Sequence, residues 1–477
     1  MLSRYVQMHA QRMGSCQDNH RWEHWIISHS LTDNITEVLF RASGRKWLPE
    51  DRRAYKEWLG GVVEHVEKNP IELHPVLEEF KMLIETNTRI YMLIQSMFEQ
   101  VPNEKPYDTD PMGHKQIRDY EHMLQVLNHI ITTAPKWNDR AYSIGMLAAP
   151  MTILFDWSMG TPSGYACFLD PEVNAMLKKV LDAWGDFLRS EASAEQTLTE
   201  DADGWFGAHS KDVLTAAANG AAGTAHTFEE LFECNSTEPH YGFASWDAFF
   251  TRAFRPGVRL VAAPDNDAVI ANACESCPCH VARDVALRTT FWVKGSPYSV
   301  LDMLGHDERA PLFAGGTVYQ AFLSPVSYHR WHAPVSGRIV RAFVEPGTYF
   351  SELKVGHVGS LANWKDPEGY PFIASDEALS QVYLTAVATR AIIFIEADNP
   401  KIGLIAFLGV GMMEVSTCEI AVREGEHVTK GDEIGMFHFG GSSHCVLFRK
   451  GIDVQGFPEP GREKNVPVRG LLAVVRG

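Results

Sequence analysis

The chain has 477 residues, 45% of them hydrophobic and 22% charged, which provides for a sizeable core in two domains or more and excludes a disordered chain. With 43 Lys and Arg against 60 Asp and Glu, the formal charge is −17, so the average surface repels phosphate backbones and anionic headgroups. Nucleic acid is thereby excluded as the expected partner.

Residues 1–25 carry charges and histidines and no long apolar run, so no signal peptide is expected and a cytoplasmic location is. The first half then reads as helical. Tyr55, Leu59, Val62 and Val66 fall on one stripe; Leu77, Phe80, Leu83 and Ile84 continue the pattern, and Tyr120, Leu124, Leu127 and Ile131 repeat it. The longest apolar stretch, residues 143–155, is too short to span a bilayer and contains Pro150, so a buried helix or packed loop is expected there and no membrane anchor. Asp170 before Pro171 marks a helix start, with Val173, Leu177, Leu181, Trp184 and Leu188 on the inner face. Between residues 190 and 225 Ala, Gly, Ser, Thr and Asp accumulate, which places the boundary between a helical domain (1–225) and a second domain (226–477).

Of the eight cysteines, Cys274, Cys277 and Cys279 cluster beside His280. Zinc sites pair two such units at a distance, and no second pair is evident, so reduced thiols are the expectation; metal binding stays open, as does the oligomeric state. From about residue 260 short β-branched and aromatic runs alternate with Gly and Pro, at 316–323, 337–344, 391–396, 404–408 and 415–422. The fold class is therefore α+β, with a helical N-terminal domain followed by a β-rich domain of sandwich type.

Three segments of this second domain carry chemistry. Tyr241–Arg255 is dense in aromatics and ends on two arginines. The run from Phe322 to Pro334, with Tyr328, His329, Trp331 and His332, holds two histidines three residues apart in a segment that Pro325 and Pro334 keep from being a regular helix. Near the C-terminus Gly440-Gly441-Ser442-Ser443 follows a run that reads as a buried strand. Glycine permits backbone geometries closed to other residues, so a serine hydroxyl can be bent back onto the preceding carbonyl and the chain can cut itself.

Together, and in this order, the three segments resemble the pyruvoyl-dependent phosphatidylserine decarboxylase family over residues 240–477. The strings 328–334, 346–350, 394–399 and 435–443 resemble most its soluble fungal branch, which includes a tryptophan decarboxylase and carries a long helical N-terminal region. The resemblance implies a phosphatidylserine-decarboxylase-like sandwich and self-cleavage between Gly441 and Ser442. The large chain would end at Gly441 and the small chain, held noncovalently, would begin at Ser442, whose own atoms become the pyruvoyl cofactor. It implies that His332 deprotonates the serine and that His329 works beside the substrate carboxylate. Pyridoxal phosphate is not expected, because the pyruvoyl ketone is itself the electron sink.

The family's orienting aspartate is missing: the aligned stretch reads Asn272-Ala-Cys-Glu-Ser276, with Glu275 as the candidate, one residue off and with a longer arm, and another acid such as Asp265 or Asp267, or a Ser-His pair alone, as the alternatives. The expected reaction is decarboxylation of a free, aromatic, tryptophan-like amino acid, with Phe322, Tyr328, Trp331 and Phe439 as candidates for the pocket. Two alternatives stand beside it. One is decarboxylation of phosphatidylserine. The other is a noncatalytic biotinyl- or lipoyl-like carrier, suggested by residues 333–340 and 424–435, although the methionine-flanked lysine of such carriers is missing.

Overall fold

The structure is a computed structural model that describes residues 53–101, 117–143, 147–289, 298–351, 376–414, 416–439, 442–460 and 464–476. The expectations for residues 1–25, for Val415 and for the two glycines of the cleavage motif lie outside these residues, as does the side chain of Tyr55. All the described residues belong to one compact unit, residues 46–477.

The apolar stripes of the first half form the inner faces of helices. Leu59, Val62 and Val66 are buried on Arg53–Lys68, Leu77, Phe80 and Ile84 on Pro75–Thr86, and Tyr120, Leu124 and Leu127 on Tyr120–Ile130. Helix Pro171–Leu188 begins where its sequence predicts: the Asp170 carboxylate accepts from the backbone N–H of Glu172 at 2.9 Å and of Val173 at 3.4 Å, and Pro171 fills the first turn. Pro150 likewise opens a helix, Pro150–Met159, instead of interrupting one. The Ala-rich part of 190–225 is also helical, Ala208–Ala222, because alanine has the highest helix propensity; it stops at Gly223, whose φ of +67° suits a residue without a side chain.

The expected strands assemble into a seven-stranded antiparallel sheet in the order Cys277–Ala282, Thr317–Leu323, Ser442–Phe448, Leu404–Val410, Arg390–Ala397, Gly337–Glu345, His427–Val428. One face carries Tyr319, Ala321, Leu323, Phe407 and Val446. It shares a core with Trp331, Ile434 and Phe437 of a three-stranded sheet (Arg330–His332, Glu433–His438, Thr417–Ile420) and with Ile270 and Leu472 of a second one. The other face, with Leu408, Cys445 and Leu447, packs against Tyr298, Met303 and helix Asp376–Val387. Covered on both sides, Ser442–Phe448 and Leu404–Val410 are buried at every position, which is why they read as continuous apolar runs.

The helical core extends into the β region, taking in Val326, Tyr349, Phe350 and Phe439. Inside the sandwich Trp331 lies close against Gly409: a Cβ at Gly409 would lie 2.7 Å from Trp331 Cζ2. Gly409→Ala is therefore expected to cost about 1–3 kcal/mol. Adding Trp331→Phe, which removes the clashing ring, should recover part of that loss; denaturation midpoints of the two single variants and the double variant measure the coupling.

Candidate active site

Ser442 opens an interior strand, paired with Leu323 on one side while its neighbour Ser443 lies opposite Phe322 and Val410. The chain arrives along Glu433–His438 and turns at Phe439, whose φ of +64° is rare for a bulky residue. Phe439 is held there by Trp184 and Trp246, at 4.3 and 4.8 Å between ring centroids. The two serines then point to opposite faces of the sheet. Ser443 Oγ accepts from Gln320 Nε2 at 3.4 Å, and Gln320 is fixed by Tyr298 Oη (2.7 Å) and the Gln381 carbonyl (3.0 Å). Ser442 is fully buried, and its hydroxyl has no hydrogen-bond partner among the described residues. Of the two, Ser442 is the one whose hydroxyl remains uncommitted.

The two motif histidines sit on or beside strand Arg330–His332, which pairs with Glu433–His438. His329 is buried, stacked on Phe250 at 4.1 Å, and its carbonyl accepts from Phe437 N–H at 3.0 Å. His332 is buried and has both ring nitrogens engaged: Nδ1 donates to the Gly431 carbonyl (2.9 Å) and Nε2 accepts from Tyr328 Oη (3.0 Å). Burial, with the Arg469 guanidinium nearby, pushes the His332 pKa down to about 3, so the ring is neutral. Arg469 Nε also donates to the Gly431 carbonyl, at 2.8 Å.

The structure does not bring Glu275 to His332. Its carboxylate takes a bidentate pair from Arg259 (Nε 3.0 Å, Nη2 2.5 Å) and a third bond from Val468 N–H (2.8 Å), with both side chains buried. Burial pushes the Glu275 pKa up, against the pull of Arg259. What connects the 272–276 stretch to His332 is backbone: His332 N–H donates to the Ala273 carbonyl at 2.8 Å.

The four candidate pocket aromatics separate. Phe439 lies in the helical core, Trp331 inside the sandwich and Phe322 against the opposite sheet face, while Tyr328 stacks on Phe254 at 4.5 Å. Among the described residues no group of three or more His, Cys, Asp or Glu could hold a metal ion, and no helix is long and apolar enough to cross a membrane.

Two histidines outside the motif also belong to this region. His444, on Ser442's own strand, places Nε2 3.0 Å from Ser276 Oγ. His438 bridges two carboxylates, Nδ1 to Asp247 at 3.0 Å and Nε2 to Glu419 at 2.9 Å. Burial alone lowers the His438 pKa, but the bonds and charges of Asp247 and Glu419 outweigh it and hold the ring above the ordinary histidine value. The period-2 alternation of the strand was the signal that could have placed His444 on the serine's face.

Two family models, both described as phosphatidylserine decarboxylase, match residues 74–214 and 246–470. The decarboxylase iboD of Amanita muscaria is 44% identical over 334 residues, 68% of this chain and 91% of its own. The L-tryptophan decarboxylase of Psilocybe cubensis is 34% identical over 89% of this chain and 93% of its own. A phosphatidylserine decarboxylase proenzyme of Bacillus cereus is 30% identical over 47% of this chain and 76% of its own.

Glu275→Gln leaves Arg259 buried and uncompensated, so a stability loss of about 3–5 kcal/mol is expected in chemical denaturation; replacing both partners with apolar residues should cost less. For His438, a raised folded-state pKa means stabilisation that is complete below the unfolded-state value and lost as pH rises through the folded one. The thermal midpoint should fall as pH rises above the ordinary histidine range, and His438→Gln should flatten that decline.

Proposed function

The chain belongs to the phosphatidylserine decarboxylase family and is a carboxy-lyase, and on that premise we propose that it cuts itself between Gly441 and Ser442 and then decarboxylates a free aromatic amino acid, tryptophan or a close analogue, to the amine and CO2. The observation that carries the reading is the Ser442 hydroxyl, buried at the head of an interior strand without a hydrogen-bond partner among the described residues. A buried hydroxyl left unmatched costs about 1–3 kcal/mol, and a nucleophile waiting for its own upstream carbonyl accounts for it.

The same position fits the family's pyruvoyl group, which would be made of Ser442's own atoms and need no separate binding site. When present, it supplies an electron sink for the pair left behind as the carboxylate departs. Cleavage would leave residues 442–477 as the small chain. It would stay in place because Ser442–Phe448 is hydrogen-bonded on both sides and Leu471–Val475 pairs with Val269–Ala271.

The chain's own residues then set the environment. His329 is held against Phe250 and presents a buried imidazole for work beside the substrate carboxylate. His332 holds the motif position for the serine's proton, kept neutral by burial and fixed by Tyr328 and Gly431. An amino-acid substrate is favoured over a phospholipid because the relative named for L-tryptophan aligns across 89% of this chain, helical region included, whereas the bacterial proenzyme aligns across 47%.

Intact-mass analysis of wild type is expected to show two chains dividing at 441/442, the smaller with a blocked, ketone-bearing N-terminus. Ser442→Ala should stay whole and release no amine. Purified wild type should convert L-tryptophan to tryptamine without added pyridoxal phosphate; turnover of phosphatidylserine vesicles in place of free amino acids would shift the substrate to the lipid.

A further inference from the structure

The bond to be cut lies between Gly441 and Ser442, and Gly440 precedes it, so no side chain between Phe439 and Ser442 can hold the backbone in place. Any geometry the scissile bond needs must therefore be imposed from its two flanks. Downstream the flank is strand Ser442–Phe448, locked by its pairing with Thr317–Leu323 and Leu404–Val410. Upstream it is Phe439.

Phe439 is where the chain changes cores. Phe437, two residues earlier, is buried inside the sandwich, whereas the Phe439 ring is buried in the helical core. Its φ of +64° is a left-handed conformation that a bulky residue holds only where its surroundings require it. Those surroundings are three aromatic rings: Trp184 at 4.3 Å, Trp246 at 4.8 Å and Phe250 at 6.2 Å between centroids. The box is itself anchored. Trp184 Nε1 donates to the Thr133 carbonyl at 2.8 Å, Trp246 N–H donates to Ser193 Oγ at 2.9 Å, and Trp246 stacks on Phe250 at 5.2 Å. His438, the residue just before the turn, is bonded to Asp247 and Glu419, so the ring enters the box from a fixed position.

We propose, resting on the self-processing reading above, that Trp184 and Trp246 are positioning residues of self-cleavage: by holding the Phe439 ring they impose the left-handed turn that presents the Gly441 carbonyl carbon to the Ser442 hydroxyl. In that step Ser442 Oγ bonds to the carbon, the Gly441–Ser442 C–N bond breaks and the hydroxyl proton ends on the freed nitrogen. An ester is formed and no oxidant, reductant or water is consumed. The helical region thereby has a task in making the cofactor, because Trp184 belongs to helix Pro171–Leu188 and the box closes only when that helix is packed.

The test compares Phe439→Ala with Phe439→Gly in freshly purified full-length chain, following cleavage by intact mass and confirming by thermal unfolding that each variant is folded. Both lose the ring, but only glycine takes a φ of +64° without strain. Phe439→Ala should slow cleavage about tenfold or more, and Phe439→Gly should cleave at least about threefold faster than Phe439→Ala. A role confined to filling the core predicts the reverse order, since glycine leaves the larger void and the looser chain. Trp184→Ala should slow the otherwise wild-type chain about tenfold, yet change cleavage of Phe439→Gly less than about threefold, because the tryptophan acts through the ring. Hydroxylamine should not speed scission of Phe439→Ala, because the delay falls before the ester.

Four results each overturn the proposal: Phe439→Ala or Trp184→Ala cleaved within about threefold of wild type; Phe439→Gly less than about threefold faster than Phe439→Ala; a larger effect of Trp184→Ala on Phe439→Gly; and scission of Phe439→Ala accelerated by hydroxylamine. Where Trp184→Ala does not fold, the Phe439 pair decides by itself. An uncut wild type, by contrast, would overturn the self-processing reading itself.

Discussion

Everything at the site depends on the two-sided burial of one strand. Ser442–Phe448 is bonded to a neighbour on each edge and covered on each face, so its register is fixed by two ladders and two cores at once. In such a strand a one-residue step carries a side chain from one environment to another. Ser443 steps into the network of Gln320, Tyr298 and Gln381, and Ser442 steps to the face of Trp331, Phe407 and His444. The chemistry proposed for Ser442 follows from that parity, because both hydroxyls are buried and, among the described residues, only that of Ser443 has a partner.

The helical layer takes part in holding this arrangement. The reversal at Phe439 lies in a backbone region that an aromatic residue rarely adopts, and it persists because Trp184 of helix Pro171–Leu188 and Trp246 close around the ring. Glu414 ties the layers a second time: its buried carboxylate accepts from Thr152 N–H at 2.7 Å and Thr152 Oγ1 at 2.8 Å, capping helix Pro150–Met159 from the far end of strand Leu404–Val410. The helices therefore brace the turn into the serine strand.

Much of this was legible in the sequence, and the part that was not has a consistent cause. Period and punctuation gave the helices, the Asp170 cap and the strands, because these are local properties. Ordered motifs singled out Ser442, His329 and His332. Glu275 was legible as a carboxylate near the right place, but its partner Arg259 stands 16 residues earlier and was not read as a cation aimed at it. Ser276 meets His444 across 168 residues of sequence, and the His438 clamp joins Asp247 to Glu419. The aromatics show the same limit: residue type identified Phe322, Tyr328, Trp331 and Phe439 as apolar, but which core each enters is decided by strand parity and chain reversal.

The missing aspartate then has a physical reading. A free carboxylate beside these histidines would itself be buried at a cost of several kcal/mol; in the 272–276 stretch Cys274 is buried and the adjacent Glu275 is neutralised by Arg259. Orientation falls instead to neutral partners, the Gly431 carbonyl for His332 and the Ser276 hydroxyl beside His444. Without a counterion, an imidazolium in this core is unfavourable: a pKa near 3 instead of about 6.5 raises its free energy by about 5 kcal/mol.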